Sequence, residues 1–177
     1  MHRRRPDAQR WSLRVDPPWS LDAWRGAARE ALLRGLSPEQ LDWLESSAGS
    51  LLDAPAATQA PLLETPSVPH VPSAFLELAS TCLCHADAQP MPLLYRLLWR
   101  IVHGERALLS NPTDADVLRA MTMAQAVRRD THKMKAFVRF REVPGQPDAF
   151  IAWFEPDHHI VDRVAPFFAR RFAGMRW

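Results

Sequence analysis

Two stretches of the chain carry residue types able to do chemistry. The first is Trp153-Phe154-Glu155-Pro156-Asp157-His158-His159, which packs two carboxylates and two imidazoles into five residues. Such a set can hold a metal ion or serve as a general acid/base pair, with Glu155, Asp157, His158 and His159 as the catalytic candidates. The spacing is not that of a recognised zinc site. Neighbouring histidines on a helix diverge by about 100°, so both rarely reach one ion, and no metal or other cofactor is expected. A plainer reading makes Asp157 the cap of a following helix, with the histidines in its first turn.

The second stretch runs from Arg128 to Arg141. Arg128, His132 and Lys135 recur at spacings of four and three, which places them on one helical face. Arg139 and Arg141 alternate with Val138 and Phe140, the pattern of a strand with one charged face. Cations along a helix and a strand, with Lys133, Arg170 and Arg171 added and Trp153 as a stacking ring, suit a sugar–phosphate backbone. The cations neutralise phosphates and an aromatic face takes a base. The plainer reading is a solvated helix beside an ordinary hairpin. Cys82 and Cys84 stand two apart in an apolar stripe, too divergent on a helix to bridge each other, and read as core. There is no glycine-rich phosphate loop, no nucleophile elbow and no paired Cys-x-x-Cys site.

Charge sharpens the second stretch. Residues 1–14 hold five Arg against one Asp, a net +4; residues 15–124 a net −6; residues 125–177 ten basic against six acidic side chains, a net +4. The overall +2 therefore hides a basic C-terminal third. Two cysteines imply no disulfide framework, which fits a reducing compartment. The basic N-terminus lacks the apolar core of a secretory signal. The most apolar run, Met91 to Val102, is broken by Arg96 and Arg100, so no membrane span and a cytoplasmic location are expected.

The elements that must position these residues follow from periodicity. Residues 1–10 read as a disordered basic arm. Residues 11–45 form a strand and helix segment: Trp11 to Val15 is a short strand, Ser20 caps a helix from Leu21 to Leu33 that Gly35 ends, and Ser37-Pro38-Glu39-Gln40 marks another helix start. Residues 46–72, punctuated by Pro55, Pro61, Pro66, Pro69 and Pro72, read as a Pro/Ala-rich linker or long loop. Residues 73–177 form the helical core and make one domain with 11–45. Its helices start near Ser73, run from about Pro92 to His103 with Gly104 closing, and from Asn111–Asp114 to about Lys135. Ala136–Val143 and Ala149–Phe154 then alternate as a β-hairpin, and Asp157 caps a last helix whose Ile160, Val161, Val164, Phe167, Phe168 and Phe172 face inward. The class is α+β, mainly helical, with a small antiparallel sheet.

His132-Lys133-Met134-Lys135-Ala136-Phe137-Val138-Arg139-Phe140, Trp153 to Ile160, and Ala165-Pro166-Phe167-Phe168-Ala169-Arg170-Arg171-Phe172 together resemble an uncharacterised domain family. Its domain precedes the glycosylase module of family X uracil-DNA glycosylases, or stands as a separate DNA-repair or DNA-metabolism protein beside a radical-SAM partner. The likeness is strong from Val127 to Trp177, looser through Leu93–Trp99 and faint before Pro72. It implies DNA and a uracil-DNA glycosylase-like or radical-SAM protein as partners. This chain ends at Met175-Arg176-Trp177, where the family continues into a further strand, so the resemblance implies a fragment or truncated member. Glycosylase motifs are absent, and base excision belongs to other sequence. The residues leave three readings open: an accessory DNA-binding or partner-docking domain without activity of its own, an acid/base or metal-assisted enzyme acting on nucleic acid, and a protein-interaction module without DNA contact.

Overall fold

The computed structural model describes residues 10–45, 71–86 and 90–177, so the basic arm before Arg10 and almost all of the Pro-rich segment lie outside the described residues. Strand β1, Trp11–Val15, leads through a cis Asp16–Pro17 peptide to helix α1, Leu21–Leu33. Ser20 is the cap expected: it is extended, and its Oγ accepts the Ala23 N–H at 3.2 Å. Trp24, Ala28 and Ala31, at steps of four and three, are buried. Gly35, at φ +65°, ends the helix. Its N–H donates to Leu32 O and the Leu36 N–H to Ala31 O, the paired closure that a left-handed residue allows.

The start signal at Ser37 has a different outcome. Gln40 Oε1 accepts the Ser37 N–H at 2.9 Å, but the turn Pro38–Gln40 is a single 3₁₀ turn, and the chain then extends into β2, Leu41–Glu45. Leu41 and Trp43 alternate inward, and β2 pairs in parallel with β1, Trp11 opposite Leu41 and Leu13 opposite Trp43. Tertiary pairing overrides the local helix signal here.

Helices α2 (Ser73–Cys82), α3 (Pro90–Val102) and α4 (Ala115–Phe137) complete the larger core around Trp24, Phe75, Leu94, Tyr95 and Leu97. Two polar contacts fasten it: Tyr95 donates its hydroxyl to Leu36 O at 2.7 Å, and the Cys82 thiol to Ala120 O at 3.1 Å. Burial pushes the Cys82 thiol up to about 12 and raises that of Cys84, so both are inert core thiols. Gly104, at φ +120°, closes α3 with the pair of bonds used after α1. Asp114 caps α4, accepting from Asp116 and Val117 N–H at 3.1 Å each.

Helix α4 runs on to Phe137, so Ala136 and Phe137 are helical, and residues 138–140 form no ladder. The expected strand from Ala136 shrinks to β3, Arg141–Val143. It pairs antiparallel with β4, Gln146–Ile151, across a tight turn in which Gly145 takes φ +75°. Val138 and Phe140 turn inward instead, and they help bury a second, smaller core of Cys84, Val127, Ile160, Val164 and Phe168. Helix α5 begins at Val161, not at Asp157, and ends at Arg171. Ile160, wholly buried, occupies the cap position and offers no side-chain bond, so the helix waits until that anchor is seated. Val161, expected to face inward, is exposed. The fold is α+β and mainly helical; the expected strand β1 pairs in parallel with β2, which periodicity did not reveal, and the hairpin forms a second two-stranded sheet. Among the described residues no helix is long and apolar enough to cross a membrane.

Candidate functional site

The candidate cations all sit around the smaller core. Arg128, His132 and Lys135 form one exposed stripe of α4. Lys135 leans on α5: its Nζ lies 4.9 Å from the centre of the Phe167 ring. Arg170 and Arg171 are exposed in the last turn of α5, with the Arg171 guanidinium 5.6 Å from the Phe172 ring. The α4 stripe and the end of α5 therefore meet through Phe167. The remaining cations have other settings. Arg139 turns back to donate to Ala136 O at 2.7 Å and Val138 O at 3.0 Å, satisfying carbonyls left over at the end of α4. Arg141 opens β3 opposite Ile151, and Trp153, just past β4, is 83% exposed.

Ion pairs are few here. Of the cations after residue 125, only Lys133 forms an ion pair among the described residues, with Asp157 at 3.7 Å. Two further acids are engaged elsewhere. Asp130, buried within α4, accepts the His158 backbone N–H at 3.0 Å, and Asp162 accepts the Trp19 indole N–H at 3.0 Å. In the larger half Arg10, Arg25, Arg34, Arg96 and Arg100 each meet a carboxylate, while the exposed Arg14, Arg29, Arg106 and Arg119 meet none among the described residues.

The Glu155–His159 stretch is irregular chain, bent at 157–159, between β4 and α5 rather than the first turn of a helix. Asp157, His158 and His159 line a cleft of about 330 Å³ with Trp19, Ala86, Pro156, Val161 and Asp162; Glu155 is not in its wall. Bonds at His158 and His159 hold this connector. His159 N–H donates to Cys84 O at 2.8 Å, and the Ala86 N–H donates to His158 Nδ1 at 3.3 Å. Trp19 stacks on His159 with centroids 4.7 Å apart and an 18° tilt, while the His85 and His158 rings approach to 4.4 Å. Among the described residues no three His, Cys, Asp or Glu side chains converge to hold a metal ion. Neither Asp130 nor Trp19 stood out from local pattern. The one hint was a lone acid inside the basic run Arg128-Arg129-Asp130-Thr131-His132-Lys133.

A family model described as a domain of unknown function, DUF4130, matches residues 89–177. That span takes in every candidate cation and the 155–159 connector, and leaves Trp19 and Ala86 outside it. No curated protein and no solved structure matches the chain.

Proposed function

For this chain, which belongs to the DUF4130 family, we propose an accessory DNA-binding role in which the cations of α4 and α5 grip the sugar–phosphate backbone. One observation carries it: the exposed Arg128, Lys135, Arg141, Arg170 and Arg171 meet no carboxylate among the described residues, in a region of net positive charge. An exposed cation without an acid partner keeps its full attraction for phosphate, and releasing condensed counterions from DNA supplies the binding free energy. Trp153, open to solvent beside the hairpin, offers a ring on which a base can stack. The resemblance seen in the sequence supplies the setting, a DNA-repair or modification system with a uracil-DNA glycosylase-like or radical-SAM protein performing the chemistry. Arg139 and Lys133 contribute less than the others, because a helix end and Asp157 already occupy them.

Fluorescence anisotropy with single-stranded and duplex oligonucleotides, with and without uracil, over a salt series tests this. Affinity should fall steeply as salt rises, and Arg128→Glu/Lys135→Glu should weaken binding by about tenfold or more at low salt. Absence of binding at low salt would reject the DNA reading and direct attention to an acidic protein partner.

A further inference from the structure

Phosphate-facing cations leave the adjoining cleft without a role. Its chemistry is of another kind: one wall is aromatic, one polar, and its charged groups are carboxylates. We infer that the cleft between Trp19, Ala86 and the 156–162 connector is a binding site for an unpaired nucleobase.

The aromatic wall is the Trp19–His159 stack, with Pro156 and Val161 adding apolar surface. Trp19 is held in place, because its indole N–H donates to Asp162 at 3.0 Å and its ring packs against the smaller core. The polar wall centres on His158. Its Nδ1 accepts the Ala86 N–H, so the neutral ring carries its proton on Nε2 and has a donor to offer. Its backbone is fixed in turn by the buried Asp130 carboxylate. Asp157 and Asp162 retain free lone pairs beyond their bonds to Lys133 and Trp19, and these can accept N–H groups.

A planar ring with one edge of mixed donors and acceptors fits this arrangement, and a nucleobase is such a ring. A phosphate does not fit, since two carboxylates line the cleft. Lys133, 3.7 Å from Asp157 at the rim, is placed to meet the phosphate outside while the base enters. A volume of about 330 Å³ is at the small end for ligand sites and suits one base rather than a run of them.

The inference rests on the DNA-binding reading for its natural ligand, but a neutral nucleoside tests it without any phosphate contact. The full chain is titrated with cytidine, thymidine and adenosine while the imidazole NMR signals of His158 and His159 are followed. Saturable shifts are expected, abolished by Trp19→Leu and retained in Arg128→Glu/Lys135→Glu. Should Trp19→Leu not fold, His159→Ala, an exposed position, removes half of the aromatic wall and should weaken the same shifts. In a second arm, an intact single-stranded oligonucleotide should outbind an abasic strand of equal phosphate number by roughly tenfold, the scale of one stacked base. Trp19→Leu or His159→Ala should erase that difference and leave the salt slope unchanged. Failure of all three nucleosides to shift either histidine, or equal binding of intact and abasic strands, overturns the inference. Nucleoside shifts without oligonucleotide binding at low salt would reject the backbone-grip reading and leave the cleft as a nucleobase site.

Discussion

The two cores of this molecule differ in where their arginines meet acids: several do around the larger core, and none does around the smaller one among the described residues. Around the larger core, Arg100 reaches Glu105 at 2.7 Å and Asp114 at 2.8 Å, and Arg96 reaches Asp116 at 2.7 Å, so the charges tie the end of α3 to the start of α4. Around the smaller core the cations are spread over α4, β3 and α5, while Asp130 and Asp162 bond to a backbone amide and an indole. A cation already neutralised by a carboxylate has little attraction left for a distant phosphate. One left alone is costly in self-repulsion and is worth keeping where something outside the protein supplies the counter-charge. The difference separates a scaffold from a surface.

The largest test of that separation concerns the smaller core itself. Phe168, 4% exposed, is the ring around which Phe140, Phe167, Phe172 and Trp177 gather. Phe168→Ala should cost about 3–5 kcal/mol in denaturant unfolding followed by far-UV circular dichroism. It should also displace α5 and weaken DNA binding. An unchanged midpoint would mean that the C-terminal elements are an appendage and that the two-core comparison is misdrawn.

The middle-sized effect is a pair of substitutions with opposite readouts. Arg100→Gln should lower stability by about 1 kcal/mol, since the network is partly solvated, and leave DNA affinity unchanged. Hydrogen bonds from Arg100 hold the Asp114 and Glu105 carboxyls below the ordinary carboxylate range. A group with a depressed folded pKa stabilises above its unfolded pKa, and that stability is lost as pH falls through the folded value. The wild-type advantage over Arg100→Gln should therefore hold at neutral pH and shrink as pH drops below about 4. Arg170→Gln should do the reverse: stability within about 0.5 kcal/mol of wild type, affinity down about fivefold and a salt slope smaller by about one. Equal effects of both substitutions on binding would erase the distinction between the two regions.

What the sequence revealed of this arrangement was whatever is decided within one helical turn. Ser20, Gly35, Gly104 and Asp114 act on amides or carbonyls a few residues away, so their roles were legible. Ser37 and Gln40 sent the same signal, but the partner that draws Leu41 and Trp43 into a strand is β1, some thirty residues earlier. Asp157 looked like a helix cap because its pairing with Lys133 on α4 could not be seen from local pattern. The cations were readable one by one, whereas their lack of acid partners was not: that depends on where the fold places each acid, as with Asp130 and Asp162 engaged elsewhere. The cleft was the least legible feature, since Trp19 and Asp162 meet across 143 positions of chain. Local chemistry identified His158 and His159, and only the packing of α5 on the earlier helices brings a tryptophan to them.

The smallest effect bears on Lys133, the one cation of the surface with an acid partner among the described residues. Lys133 and Asp157 lie 3.7 Å apart with 57% and 71% of their side chains exposed, so water screens the pair and its loss should leave stability almost unmoved. Asp157→Asn removes the competing anion from Lys133 and one negative charge from the rim of the cleft. Both changes act in the same direction on an approaching phosphate. Affinity for DNA at low salt should rise by about twofold, and the gain should vanish as salt approaches a level where the Debye length is shorter than the gap between rim and phosphate. Lys133→Gln should abolish the gain. If Asp157→Asn instead weakens binding, the carboxylate is contacting the nucleic acid as an acceptor more than it restrains Lys133, and the line between scaffold and surface runs through the cleft rather than beside it.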